Sequence, residues 1–185
     1  ITLILSALVI FISCKETKSV TSQNKSNVVE KAQATIDSVM VRKHLYTLAS
    51  DEMEGRGTGT PGIEKAAVYI ENEFKRIGLK TFKDLTDYRQ TFTFKNRRTG
   101  EDITSSNIIG VLEGKSKKEE IVIVSAHYDH LGMKKDGEGD LIFNGANDDA
   151  SGVAGVLTLA EYFKSVGNER TIVFVAFTAE EMGLI

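Results

Sequence analysis

Two short apolar runs, separated by one amphipathic segment, most constrain what this chain can fold into. Residues 121–124 (IVIV) and 171–177 (TIVFVAF) are apolar at odd and even positions alike, which predicts strands buried on both faces. Between them, residues 150–166 repeat apolar side chains at helical spacing. Because a strand, a helix and a strand in this order form a parallel crossover unit, the sequence predicts an α/β fold.

The rest of the body supports the same fold class. Alternation predicts a strand at 90–94, and the apolar run 107–112 predicts another. Helical periodicity predicts helices over about 36–50 and 63–77, the second capped by Gly78. We therefore expect one domain over residues 32–185, with a mostly parallel sheet flanked by helices.

The N-terminal segment has the pattern of an export signal. Residues 1–12 form an uncharged apolar run of signal-peptide length, and Ser13-Cys14 follows it directly. A small residue before a cysteine at this place resembles the lipobox of bacterial lipoproteins, which implies a lipid anchor on Cys14, within a leader of residues 1–14. Residues 15–31 are polar and suit a flexible tether. This interpretation predicts an exported, membrane-anchored protein of the cell envelope; a buried strand or the end of a membrane helix is the alternative.

Composition excludes several kinds of site. The chain has 23 basic and 26 acidic residues and a formal net charge of −3, so we expect no nucleic-acid partner. Its single cysteine excludes an intrachain disulfide framework and a cysteine-rich zinc finger. A metal would therefore be held by aspartate, glutamate and the three histidines, which are His44, His127 and His130.

Polar side chains cluster where the predicted strands end and where the helix between them begins. The clusters are His127-Tyr128-Asp129, Asn147-Asp148-Asp149 and Glu180-Glu181. Because the carboxyl ends of parallel strands open onto one edge of a sheet, the three clusters can converge there. Imidazoles and carboxylates without a thiol suit zinc, in a site for one or two ions.

Spacing predicts different roles within these clusters. His127 and Asp129 are two residues apart, so in an extended strand end Asp129 can orient the imidazole of a metal-binding His127. Glu180 and Glu181 are adjacent and point apart, so one can bind metal while the other serves as a base. Asp148, at a helix N-terminus, has two oxygens with which to bridge two cations.

Three other features favour structural roles. We expect His130 to point away from the cluster, because it lies three residues beyond His127 on an extended or turning segment, and His44 lies in a helix far upstream. The glycine-rich run 55–62 lacks the ending of a phosphate-binding loop, so we interpret it as a surface loop. Residues 136–140 lack the pattern of a calcium loop and suit a solvated, hairpin-like turn.

Three motifs together resemble metallopeptidase family twenty-eight, the dizinc aminopeptidases. They are His127-Tyr128-Asp129, the run 145–152 (GANDDASG) and the run 179–184 (AEEMGL); residues 48–59 are similar to the N-terminal part of the bacterial members. The resemblance implies an aminopeptidase-like α/β/α sandwich that hydrolyses peptides with two zinc ions.

The same resemblance implies a role for individual residues. His127 would bind one zinc, Glu181 the other, and Asp148 both; Glu180 would be the catalytic base and acid, and Asp129 the partner of His127. It also implies a cis peptide bond between Asp148 and Asp149. A further carboxylate and a histidine would follow Ile185, so we expect the sheet to be incomplete at its C-terminal end and this segment alone to be inactive.

Two alternatives stay open at this point. A glutaminyl cyclase with one zinc, or a binding ectodomain on the same fold, could share much of the pattern. The intact run 148–152 favours the peptidase over the cyclase, and the presence of His127, Asp148 and Glu181 favours catalysis over binding alone.

Overall fold

A computed structural model describes residues 36–183 of the chain. The predicted leader, the tether and Cys14 lie outside this range and stay predictions. Within residues 36–183, no helix combines the length and the apolar character needed to cross a membrane.

Three helices form where the periodicity predicted them. Helix α1 begins after Asp37, whose carboxylate accepts a hydrogen bond from the backbone N–H of Val39 at 3.0 Å. Helix α2 has a proline at its first position and ends at Gly78, whose φ of 77° is the left-handed conformation that favours glycine. The bounds are Ser38–Leu48 for α1, Pro61–Ile77 for α2 and Ser151–Val166 for α3.

Four strands form one sheet in the order β1-β2-β4-β3. Strands β3 and β4 are parallel and are joined through α3, so the predicted crossover unit and the α/β class are confirmed. The other two pairs are antiparallel: β1 and β2 form a hairpin, and β2 also runs antiparallel to β4. The described sheet is therefore mixed rather than mostly parallel. Its strands are Arg89–Lys95, Asp102–Leu112, Lys117–His127 and Arg170–Phe177.

The main core lies on one face of the sheet, and all three helices contribute to it. Ile172, Phe174 and Ala176 of β4 point into this core. On the opposite face, Ile121 and Ile123 of β3 are 61% and 64% exposed. The prediction that 121–124 is buried on both faces is thus wrong for the described residues, because β3 is an outer strand there and the three helices pack against its other side. The equivalent prediction for β4 is confirmed.

A buried histidine within α1 is expected to make the stability of the protein depend on pH. His44 is fully buried, and its Nδ1 lies 2.7 Å from the Tyr69 hydroxyl, while Nε2 has no hydrogen-bond partner among residues 36–183. Burial lowers the pKa of His44 below its ordinary value of 6.5, although the nearby charge of Glu73 opposes this shift. The folded protein therefore keeps His44 neutral where the unfolded chain begins to bind a proton.

We expect the free energy of unfolding to fall as pH drops below 6.5, since the unfolded state then binds more protons than the folded state. His44→Gln removes this titration, so its stability should fall less between about pH 7.5 and pH 5. Urea unfolding of both proteins at each pH measures the difference. If the free energy of unfolding changed equally with pH in both proteins, the role of His44 would be contradicted.

Candidate metal centre

Three segments meet at the edge of the sheet where β3 and β4 end. The parallel register places His127 beside Phe177, and the backbone N–H of Tyr128 donates to the carbonyl of Phe177 at 2.8 Å. The third segment is the short turn Ala146–Ala150, which leads into α3. The convergence predicted from the strand ends is therefore present in the fold.

Four side chains of types that can bind a metal come together at this edge. His127 Nε2 lies 3.0 Å from Asp148 Oδ1, and His130 Nδ1 lies 2.8 Å from Glu181 Oε1. One ligand atom each of His130, Asp148 and Glu181 lies within 4.8 Å of the others. Asp148 thus contacts His127 and also borders the second pair, which is the position that a bridging carboxylate needs.

Asp129 lies beneath this group and is fully buried. Its carboxylate accepts hydrogen bonds from the Thr58 hydroxyl at 3.0 Å and from the backbone N–H groups of Glu180 and Glu181, each at 3.2 Å. Asp129 Oδ1 is 3.7 Å from His127 Nδ1, too far for a hydrogen bond, and this nitrogen lies closer, at 3.2 Å, to the backbone carbonyl of Asp129. The carboxylate therefore holds the turn after β4 by hydrogen bonds and lies beside His127 at ion-pair distance, without the hydrogen bond to the imidazole that the spacing predicted.

The two adjacent glutamates face different cavities, as their spacing predicted. Glu180 lines a cavity of about 350 Å³ together with His127, Asp149 and Phe177. Glu181 lines a separate cleft of about 430 Å³ that also contacts His130. The carboxylate of Glu181 therefore belongs to the cluster of candidate ligand atoms, while that of Glu180 faces the neighbouring cavity.

The prediction that His130 points away from the cluster is wrong. After Asp129 the chain does not continue as a strand of the sheet but bridges to Gly57, with the backbone N–H of His130 donating to the carbonyl of Arg56 at 3.0 Å. This pairing turns the imidazole toward Glu181. The local sequence does not encode it, because the pairing segment lies about seventy residues earlier.

Arg56 is a second residue whose role the sequence analysis missed. Its side chain is fully buried, and the guanidinium donates to the backbone carbonyls of Tyr128 at 2.8 Å, Asn144 at 2.8 Å and Gly145 at 2.9 Å, and to that of Leu48. Burial lowers the pKa of Arg56, while nearby Asp129, Asp149 and Asp148 raise it. Arg56 thus joins α1, the end of β3 and the turn before α3.

The glycine-rich segment is correspondingly not a surface loop along its whole length. Residues 55–57 are buried, contrary to the prediction, because they pair with 130–132. Gly145, with φ of 58°, sits so close to His130 and Arg56 that a β-carbon there would overlap both. The turn after it carries the cis peptide bond between Asp148 and Asp149 that the resemblance implies.

The donor set fits zinc. Ligand atoms at zinc–nitrogen and zinc–oxygen distances of about 2.0–2.2 Å lie roughly 3.3 Å apart on a tetrahedral ion. The separation of 3.0 Å between His127 Nε2 and Asp148 Oδ1 is close to this value. Imidazole and carboxylate are also ligands that zinc accepts in catalytic sites.

Comparison with known proteins identifies the family. Residues 107–185, which carry all three motifs, match the model of Peptidase family M28. Residues 107–185 belong to peptidase family M28. Relatives of the chain include the alkaline phosphatase isozyme conversion protein of Escherichia coli K12, 33% identical over 135 residues, or 70% of this chain and 39% of the relative. The aminopeptidase YwaD of Bacillus subtilis 168 is 42% identical over 83 residues, or 44% of this chain and 16% of the relative.

A solved structure supports the fold assignment. The glutaminyl cyclase of Fimbriiglobus ruber superimposes with a TM-score of 0.64 and 26% identity, over 80% of this chain and 50% of that one. The aminopeptidase-like α/β fold expected for an M28 protein is therefore confirmed. The chain spans at most about half the length of these three proteins.

Proposed function

We propose that the protein is a zinc-dependent exopeptidase that removes N-terminal residues from peptides, an aminopeptidase with two zinc ions. The observation that carries the proposal is the position of Asp148, which touches His127 and borders His130 and Glu181. Membership of family M28 and the similarity to an aminopeptidase of Bacillus subtilis support it.

The proposal gives each side chain a task. His127 would hold one zinc, Glu181 the other, and Asp148 would contact both. When bound, zinc acidifies water and polarises a peptide carbonyl. The carboxylate of Glu180, facing the adjoining cavity, accepts the proton of the attacking water and returns it to the leaving amine. Asp129 fixes the backbone of Glu180 and Glu181 while Glu180 accepts and returns the proton.

A glutaminyl cyclase is the second candidate, favoured by the similarity to the Fimbriiglobus ruber enzyme. In that reaction the N-terminal amine of a glutamine attacks its own side-chain amide, and ammonia leaves. The central position of Asp148 between two groups of ligand atoms supports the two-ion peptidase instead.

Zinc content and product analysis of the full-length protein test the proposal. We expect two zinc ions per chain, release of free amino acids from a panel of peptide amides, loss of this activity with a chelator and recovery with added zinc. Ammonia and a cyclised product from glutaminyl peptides, with no amino-acid release, would establish the cyclase. Protein that binds no zinc would overturn both candidates and favour a binding domain.

We further propose that the protein is exported and anchored to the cell envelope by a lipid on Cys14. The apolar run 1–12 followed by Ser13-Cys14 supports this. Metabolic labelling with radioactive palmitate tests it: label should enter the protein and be absent from Cys14→Ser. Equal labelling of both proteins, or of neither, would refute the anchor.

A further inference from the structure

Two arginines beside the candidate site stand apart from the others in residues 36–183. The guanidinium groups of Arg97 and Arg98 form no ion pair or hydrogen bond with any residue of that range. Each of the other five arginines of the range has a side-chain partner: Tyr46 for Arg42, backbone carbonyls for Arg56, Glu73 and Glu161 for Arg76, Glu64 and Glu71 for Arg89, and Glu120 for Arg170.

The hairpin between β1 and β2 presents these arginines in a fixed turn. The backbone N–H of Gly100 donates to the carbonyl of Asn96 at 2.8 Å, and the Asn96 side chain accepts from the backbone N–H groups of Arg98 at 2.8 Å and of Thr99 at 3.3 Å. An asparagine that holds the turn in this way limits how far its tip can move. The two side chains are exposed, but the backbone that carries them is ordered by its own hydrogen bonds.

The turn closes one side of a cleft whose other side is the candidate metal centre. Arg97, Arg98, His130 and Glu181 line this single cleft of about 430 Å³, a size typical of ligand sites. Arg97 Nη1 comes within 3.5 Å of where a β-carbon on Gly183 would lie, so the hairpin tip reaches the turn that carries Glu181. Two positive charges therefore face the space in which a substrate held at Glu181 would lie.

We propose that Arg97 and Arg98 form a subsite for a carboxylate of the substrate, so that the protein prefers peptides with an anionic group close to the scissile bond. This inference rests on the proposed exopeptidase function and adds the substrate class to it. The guanidinium fork matches a carboxylate in geometry and charge. The carboxylate has two sources, an aspartate or glutamate side chain or the free C-terminus of a short peptide.

Three matched peptides separate these sources: a neutral amide, Leu-Asn-Ala-amide; the same amide with aspartate in place of asparagine; and Leu-Asn-Ala with a free C-terminus. We expect one or both of the anionic peptides to have a kcat/KM about tenfold above the neutral amide in the full-length protein. The anionic peptide with the higher kcat/KM identifies the source of the carboxylate. The preference should weaken as ionic strength rises from about 0.05 M to about 0.5 M.

The double variant Arg97→Gln, Arg98→Gln should lose this preference, so that it hydrolyses the anionic peptides no faster than the neutral amide. Lys135→Gln, which removes an exposed cation outside the cleft, is the matched control and should keep the preference. Equal rates on all three peptides in the unmodified protein, or an equal loss on all three in the double variant, would overturn the inference.

Failure of the proposed exopeptidase function can be distinguished from failure of the subsite. If the unmodified protein hydrolyses none of the peptides, the exopeptidase proposal fails, and calorimetric affinities for the same three peptides then test the subsite. Tighter binding of an anionic peptide, lost in the double variant, supports the subsite without hydrolysis. Equal affinities for the three peptides would overturn it.

Discussion

Replacing Glu180 with glutamine is expected to lower kcat for peptide hydrolysis by a factor of about 10² to 10⁴ while the zinc content stays the same. Glutamine keeps the shape of the side chain but cannot accept the proton of the attacking water. The backbone N–H of residue 180 still donates to Asp129, so the turn after β4 should hold its position. Glu180 also lies outside the group formed by His130, Asp148 and Glu181, so metal binding should survive.

Two further variants make this result specific. Glu181→Gln changes the neighbouring residue by the same chemistry and should lose zinc together with activity, because its carboxylate belongs to the ligand group. Glu138→Gln, in an exposed loop, should change neither. Steady-state kinetics and metal analysis on the same preparations provide the comparison. Unchanged kcat in Glu180→Gln, or a loss of rate matched by an equal loss of zinc, would exclude a proton-transfer role.

Replacing Arg56 with methionine is expected to lower the free energy of unfolding by about 3 to 5 kcal/mol. Four backbone carbonyls would lose their charged donor, and a carbonyl left unpaired inside a protein costs about 1–3 kcal/mol unless water reaches it. The backbone at Arg56 also has a φ of 51°, which a residue other than glycine adopts at a cost that surrounding contacts must offset. The loss is a large fraction of the stability of an ordinary domain.

Two further variants separate the loss of the buried hydrogen bonds of Arg56 from the loss of a positive charge alone. Arg170→Met removes an exposed arginine that pairs with Glu120, and it should cost about 1 kcal/mol or less. Arg56→Lys keeps the charge but not the planar fork of donors, so its stability should lie between those of the unmodified protein and Arg56→Met. Urea unfolding monitored by circular dichroism measures all three. Equal stability of Arg56→Met and Arg170→Met would contradict the role of Arg56.

Local patterns in the sequence are sufficient to predict the elements of this fold. Periodicity identifies the three helices and the strands, and the order strand, helix, strand predicts the parallel pairing of β3 and β4. The convergence of His127, Asp148 and Glu181 at one edge of the sheet follows from that pairing, because each residue lies within a few positions of the end of an element. This part of the site was therefore predictable.

Other parts depend on segments that are distant in the sequence. His130 faces Glu181 only because residues 130–132 pair with 55–57, and neither segment has a strand pattern of its own. The carboxylate of Asp129 binds the backbone of residues 180 and 181 for a similar reason. The exposure of Ile121 and Ile123 depends on which elements cover each face of the sheet, which hydrophobicity along β3 does not specify.

The hydrogen bonds of Arg56 also bear on the order in which the chain folds. They join residues 72, 88 and 89 positions apart, whereas the helices and the β1–β2 hairpin form from contacts between near neighbours. Closing such long loops loses chain entropy before any contact compensates for it, which slows the step. We therefore expect the metal-binding edge to take shape late in folding, so that a partly folded chain has native secondary structure before it can retain zinc.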